Sequence, residues 1–161
     1  MAATPQQIQN AERVFQTICN MLDGINFRYR TDKRDEDYYI MLTVNGDDIP
    51  MDEYLIVRPN IQVVSLLSPM PFKTPEDKRV EMAMAVCVSN YGLYEGTFDY
   101  DINDGEIRYR LTASFYENIL SGDYFNHMLQ LASFWIDKYN DRFMMLAKGG
   151  MTLQQFIDAE G

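Results

Sequence analysis

Hydrophobic and polar residues alternate most regularly between Phe98 and Thr112. On the first side of this stretch, aromatic and aliphatic residues alternate with Asp and Asn, and on the second side they alternate with Arg and Thr. The residues Asn103, Asp104 and Gly105 separate the two runs. Period-two alternation on both sides of an Asp-Gly pair predicts a β-hairpin.

Apolar residues at three- and four-residue spacing predict helices in four other segments. The first helix begins after Thr4, which forms a capping-box pattern with Gln7, and Gly24 is the expected left-handed end. A long helix begins after its cap Ser121, and the stretch from Met151 to Ala159 predicts a short tail helix capped by Thr152.

The remaining predicted helix, the second along the chain, follows Thr74, which we expect to act as its N-cap before Pro75. Its apolar residues at helical spacing predict a buried stripe. That stripe consists of Val80, Ala83, Met84, Cys87, Val88 and Tyr91.

Between the first helix and the helix that follows Thr74, the period changes to two, which predicts strands. The predicted strands are 27–30, 37–44, 54–57 and 61–67. We expect Pro59 to lie in a hairpin turn, because proline cannot donate a ladder hydrogen bond. The charged run from Thr31 to Asp37, the segment 49–51 and the proline-rich segment 68–75 are predicted as connections.

The order of elements predicts an α+β fold formed by a single domain over residues 1–161. We expect an antiparallel β-meander or sheet of five to six strands flanked by helices, in the order α-β-β-β(-β)-α-β-β-α-α. The strands come in hairpins, so the sheet should be antiparallel.

The long third helix carries more apolar surface than one sheet requires. Its apolar residues span an arc of roughly 160°, whereas a helix that covers a sheet needs about 100°. Tyr124, Leu131 and Trp135 lie on the surplus flank, and Phe134 lies further round. Either the tail helix covers this flank through Phe156, or a second subunit or a client protein does. The four residues Tyr124, Leu131, Phe134 and Trp135 are therefore the predicted protein-binding site.

Net charge and hydropathy exclude several classes of partner. The net charge is −10 and neither half of the chain has a basic face, so we expect no nucleic-acid partner. No apolar run approaches the roughly 18 residues of a membrane span, and the first residues lack the pattern of a secretory signal. We expect Cys19 and Cys87 to be buried thiols in a reducing compartment, and hence a cytoplasmic protein without membrane contact.

Catalytic and metal-binding patterns are weak. His127 is the only histidine, so any Ser-His or Cys-His arrangement must use it, and no G-x-S-x-G elbow accompanies it. Two scattered cysteines and one histidine lack the ligand spacing of zinc sites. We predict no cofactor and no enzymatic activity.

Acidic clusters offer a further possibility for a divalent cation or for paired carboxylates. The segment Asp99 to Gly105 fails the calcium-loop register, because apolar residues would fall on ligand positions. The clusters at 35–37 and at 47–53 are more typical of solvated loops than of metal sites.

Two stretches together resemble the YbjN family of proposed sensory-transduction regulators: G-T-F-D-Y-D-I-N-D-G-E-I-R-Y-R-L and Y-F-N-H-M-L-Q-L-A-S-F-W-I-D-K-Y. The pattern F-D-x-D-x-x-D-G-x-I-x-Y-R carries the resemblance. It is held by Phe98, Asp99, Asp101, Asp104, Gly105, Ile107, Tyr109 and Arg110. The family resembles the fold of the type III secretion chaperones, and the resemblance implies a non-catalytic homodimer that holds an extended client segment.

The leading hypothesis is therefore a cytoplasmic bacterial protein of chaperone-like or regulatory kind. It would form a homodimer and bind a client protein or peptide through the surplus face of the third helix and through sheet edges. The alternative is a small-ligand sensor or enzyme with a pocket between the sheet and the helices.

Overall fold

The six strands form one antiparallel sheet in a computed structural model that describes residues 2–160. The helices are α1 (Pro5–Gly24), α2 (Arg79–Tyr91), α3 (Gly122–Ala147) and α4 (Leu153–Asp158). The strands are β1 (Tyr29–Arg34), β2 (Asp37–Asn45), β3 (Pro50–Arg58), β4 (Val63–Lys73), β5 (Thr97–Asp101) and β6 (Glu106–Ser114). The strand order is β1-β2-β3-β4-β6-β5, so the predicted α+β fold with an antiparallel sheet is confirmed.

Side-chain caps fix most helix starts. The Thr4 hydroxyl accepts from the Gln7 N–H at 3.3 Å and the Gln7 side chain accepts from the Thr4 N–H at 2.8 Å, which completes the predicted capping box. The Ser121 hydroxyl caps α3 as predicted. At the end of α1, however, the left-handed residue is Asn26, at φ 54°, and Gly24 remains within the helix.

The predicted cap at Thr74 is wrong. A short 3-10 turn (Glu76–Lys78) separates Thr74 from α2, which begins at Arg79 without a side-chain cap. The Thr74 N–H instead donates to the Gly105 carbonyl at 2.9 Å. Gly105 has φ 79°, and a Cβ there would lie 2.3 Å from the Thr74 carbonyl oxygen, so this hairpin turn requires glycine.

All three segments predicted as connections contribute residues to strands. The charged run after Tyr29 continues as β1 to Arg34, because each of its residues pairs with β2, from Tyr29 with Leu42 to Arg34 with Asp37. The segment 49–51 is also partly strand, since β3 begins at Pro50. Pairing with a neighbouring strand therefore overrides the local preference of a charged sequence.

Pro69 and Pro71 of segment 68–75 also lie within a strand, since β4 continues to Lys73, whereas Pro75 lies beyond it. Pairing between β3 and β4 ends at the Tyr54–Leu67 pair, so beyond Leu67 β4 pairs only with β6. The register with β6 shifts between Pro69 and Lys73. A proline without an N–H is tolerated there, because the strand is an edge strand over this segment.

The core lies on one face of the sheet. Alternate strand residues such as Ile40, Leu55 and Leu66 are fully buried and cluster with fully buried residues of α1 and α3, such as Ile18 and Ile136. The opposite, open face carries the alternate positions, including Met41, Tyr54 and Leu67, which lie in one cross-strand row. The helices therefore cover one face and leave the other as surface.

Candidate protein-binding surfaces

The four predicted binding residues of α3 do not form one exposed patch. Tyr124, Leu131 and Trp135 are half-buried and pack against the core, whereas Phe134 is 57% exposed. The rings of Phe134 and Trp135 contact edge to face at 5.0 Å, and Tyr124 lies about three helical turns away. The structure therefore groups Phe134 with Trp135 and separates both from Tyr124.

The tail helix covers a part of α3 next to the predicted flank. Phe156 is fully buried and stacks on Phe143 at 5.6 Å, while Glu160 accepts from the Tyr139 hydroxyl at 2.6 Å and pairs with Arg142. The ring of Trp135 lies 6.1 Å from that of Tyr139. Trp135 is thus at the margin of the covered region, and its enclosed Nε1 has no hydrogen-bond partner among the described residues.

A more exposed apolar surface lies on α2, which we call the α2 stripe: Val80, Met84, Cys87 and Tyr91. Val80 is 68%, Met84 51% and Tyr91 96% exposed, and Cys87 is exposed as well. The predicted burial of these residues is wrong, as is the predicted buried thiol at Cys87, whereas Cys19 is buried as predicted. The stripe is therefore a surface feature.

The reason for this error is that α2 is apolar around most of its circumference. Its buried side is formed by Met82, Ala85, Val86 and Ser89, which are also small or apolar. Helical periodicity cannot decide which of two apolar faces meets the sheet. Packing on β5 and α4 decides it, and the more exposed side keeps the larger side chains.

A shallow groove runs between the α2 stripe and α4. Its lining is mainly apolar and includes Cys87, Val88, Tyr91 and Ile157, together with the charged Glu160. Beyond α2 the chain continues to Tyr94, whose side chain is fully exposed. Exposed apolar side chains are therefore present on α2, in the groove beside α4 and at Tyr94 just after the helix.

The two edges of the sheet differ in accessibility. On the β5 edge, the Asn90 side chain donates to the Phe98 carbonyl at 2.9 Å and accepts from the Phe98 N–H at 2.7 Å. The side-chain amide thus takes the place of a neighbouring strand and occupies this edge. On the β1 edge, the outer side lies next to no other strand of the described chain.

The buried carboxyl of Glu53 has a strongly raised pKa. It lies on β3 beneath α3, is fully buried, and accepts from the Ser133 hydroxyl at 3.3 Å through Oε1, while Oε2 has no partner among the described residues. Burial raises the pKa of Glu53 from the ordinary 4.5 to about 8. The neighbouring Asp52 lies on the open face and accepts from Thr43 at 2.8 Å, so the two carboxyls point apart and do not form a catalytic pair.

The remaining candidate for acid–base chemistry is His127. Its Nε2 lies 3.2 Å from a Glu95 carboxylate oxygen, and both side chains are 49% exposed. An exposed His–carboxylate contact of this kind is common on protein surfaces and is not by itself a catalytic arrangement. Within residues 2–160, no group of three or more His, Cys, Asp or Glu side chains is arranged to hold a metal ion.

Comparisons with known proteins support the fold. Neither the known protein families nor the curated proteins include a sequence match to this chain. Among solved structures, the fold is similar to that of YbjN from E. coli, named as a candidate transcription regulator, with a TM-score of 0.56 and 10% identity. The similarity covers 84% of this chain and 90% of YbjN.

This chain has a YbjN-like fold. The similarity extends over most of both chains, so it concerns the whole arrangement of sheet and helices and not one motif. The resemblance first indicated by the hairpin of Asp104 and Gly105 is therefore confirmed at the level of the fold. No helix among the described residues is long and apolar enough to cross a membrane.

Proposed function

We propose that the chain is a non-catalytic protein-binding protein, of regulatory or chaperone-like kind, that acts as a homodimer through the α2 stripe. The observation that carries this proposal is the exposure of Val80, Met84 and Tyr91 on one side of a helix. Contiguous exposed apolar surface of this kind is typical of protein–protein contacts.

A second copy of the chain fits the stripe because of its spacing. The four residues are separated by four, three and four positions, which is the spacing of helix-to-helix packing. If two copies of α2 pack antiparallel about an axis between residues 85 and 86, Val80 faces Tyr91 of the second copy and Met84 faces Cys87. The stripe is thus complementary to itself, as a two-fold interface requires.

Area and charge are also consistent with a dimer. Tyr91 is 96% and Tyr94 is fully exposed, and burying two tyrosines removes roughly 300–500 Å² from water. A stable interface needs about 800 Å² per partner, so the tyrosines, the rest of the stripe and Ile157 approach that size. None of the stripe residues is charged, so the net charge of −10 is kept off the contact itself.

The predicted surface of Tyr124, Leu131, Phe134 and Trp135 remains a second proposed contact, for a client protein. Its support is the exposed Phe134 ring, which packs on Trp135. The alternative of a ligand pocket between sheet and helices has less support, because fully buried side chains such as Leu66 occupy that layer. A rise in melting temperature with a metabolite would favour the alternative.

The test is the mass in solution of two variants, Met84→Asp and Phe134→Asp. Both residues are exposed, at 51% and 57%, so neither substitution should unfold the protein. We expect Met84→Asp to give a monomer and Phe134→Asp to leave the dimer intact. The proposal is wrong if Met84→Asp remains dimeric with native circular dichroism, or if only Phe134→Asp separates the copies.

A further inference from the structure

The β1 edge concentrates positive charge in an acidic protein. Between residues 27 and 34 there are four basic side chains, Arg28, Arg30, Lys33 and Arg34, and one acidic side chain, Asp32. The whole chain has a net charge of −10. Because β1 is the outermost strand, this charge lies at a sheet edge.

Most arginines on the open face are neutralised by an aspartate. Asp32 pairs with Arg34 at 2.9 Å, Asp37 pairs with Arg58 at 3.7 Å, and Asp99 pairs with both Arg108 and Arg110. Arg28 and Arg30, by contrast, form no salt bridge with any described residue. Two unneutralised guanidinium groups therefore stand next to each other at the β1 edge.

Arg28 and Arg30 also line a groove on the open face. The groove has a volume of about 420 Å³, and Met41 and Tyr54 form its apolar part, while Asp52 lies on its far side. The cross-strand register aligns Arg30 with Met41 and Met41 with Tyr54. The edge thus offers two positive groups beside an apolar surface.

We infer that the β1 edge binds an acidic protein segment in extended conformation, which adds to the sheet as a further strand. This inference rests on the proposed protein-binding function and names the partner of a third surface. Arg28 and Arg30 are two residues apart, about 6.8 Å along a strand, and alternate carboxylates of an added strand have the same spacing. Arg–carboxylate pairs across strands then select the partner, and backbone hydrogen bonds hold it.

Other occupants fit this edge less well. A second copy that added its own β1 would place arginines and lysine against the same basic residues. A second copy that added its acidic β5 would have to displace Asn90, which occupies the backbone groups of Phe98. Charge complementarity therefore favours an acidic segment of another protein.

The experiment measures binding of fluorescent synthetic peptides to the full chain by anisotropy. The first peptide alternates Glu and Val, the second alternates Lys and Val, and a third carries a central Pro in the Glu-Val sequence, which removes one backbone N–H. We expect binding of the first peptide, with weaker binding at higher salt, and loss of binding for the other two. Amide exchange should slow within 29–34 when the first peptide binds.

The double variant Arg28→Glu/Arg30→Glu should lower the affinity for the Glu-Val peptide by at least about tenfold. Its matched control is Arg13→Glu/Lys148→Glu, which makes the same change in net charge at two exposed residues away from the edge, one within α1 and one directly after α3. We expect this control to bind within about twofold of the native chain, because exposed distant charges are screened.

The inference is overturned if the Glu-Val peptide does not bind, if the Lys-Val peptide binds equally, or if both double variants lose affinity alike. It is also overturned if a single-stranded oligonucleotide binds more tightly than the peptide, because the basic edge would then serve a nucleic acid. The mass of the protein in solution distinguishes these failures from failure of the proposed dimer, since Arg28 and Arg30 are not part of the α2 stripe.

Discussion

Replacement of Glu53 by glutamine should change the pH dependence of stability. The carboxyl is fully buried, and the pKa of about 8 in the folded chain lies far above the ordinary 4.5. Between these two values the unfolded chain has released the proton and the folded chain still holds it. Because the folded state binds more protons there, the free energy of unfolding falls as pH rises.

The slope for one such group is about 1.4 kcal/mol per pH unit, or about 4 kcal/mol from pH 5 to pH 8. This is a large part of the 5–15 kcal/mol that typically separates folded and unfolded states. Glutamine is neutral at every pH, so Glu53→Gln should remove this part of the slope. The variant should therefore lose markedly less stability than the native chain between these pH values.

Urea unfolding at several pH values measures the effect, with the fluorescence of Trp135, the only tryptophan, as the signal. Asp52→Asn is the matched control, because Asp52 is the neighbouring carboxyl and is exposed on the other face of the sheet. The control should retain the native slope. Parallel pH profiles for the native chain and Glu53→Gln would refute the assignment of a buried, protonated carboxyl.

Two further substitutions test the packing around the proposed surfaces. Asn90→Ala removes both hydrogen bonds to Phe98, so we expect the free energy of unfolding to fall by about 1–3 kcal/mol, measured by urea unfolding. The opened β5 edge should also cause concentration-dependent aggregation, measured by light scattering. A variant that stays as soluble and as stable as the native chain would contradict this role of Asn90. Phe156→Ala removes a fully buried ring that stacks on Phe143, so we expect the free energy of unfolding to fall by about 3–5 kcal/mol and proteases to cleave near Gly149. Gln154→Ala, on the exposed side of α4, should leave the stability and the protease resistance unchanged. Equal protease resistance of the two variants would show that α4 is not anchored by Phe156.

The hairpin and three helix caps follow from local chemistry and could be predicted. The turn at Gly105 needs a left-handed residue, and Thr4, Ser121 and Thr152 each accept a hydrogen bond from a backbone N–H in the first helical turn. These interactions lie within a few residues of each other in sequence. Local sequence therefore carries the required information.

The errors concern features that depend on distant residues. The charged β1 becomes a strand because β2 lies beside it, and Pro69 is accepted in β4 because β3 no longer pairs there. The face that α2 buries depends on its packing against β5 and α4. None of these contacts is encoded in the periodicity of the segment itself.

The candidate surfaces show the same division. The apolar excess of α3 could be predicted, but the structure places only Phe134 in the open and leaves Trp135 half-buried. The α2 stripe was missed because its residues fitted a buried face equally well. The basic edge could not be predicted because the charged run 31–37 is typical of a loop, although the four basic residues among 27–34 are evident in the sequence.

Sedimentation equilibrium of the native chain, at concentrations from micromolar to submillimolar, tests the central claim most directly. If the homodimer forms through the α2 stripe, the native chain should have a mass of twice 18.8 kDa. The Tyr91→Asp variant should have the monomer mass of 18.8 kDa under the same conditions. A mass of 18.8 kDa for the native chain over the whole concentration range would contradict the claim.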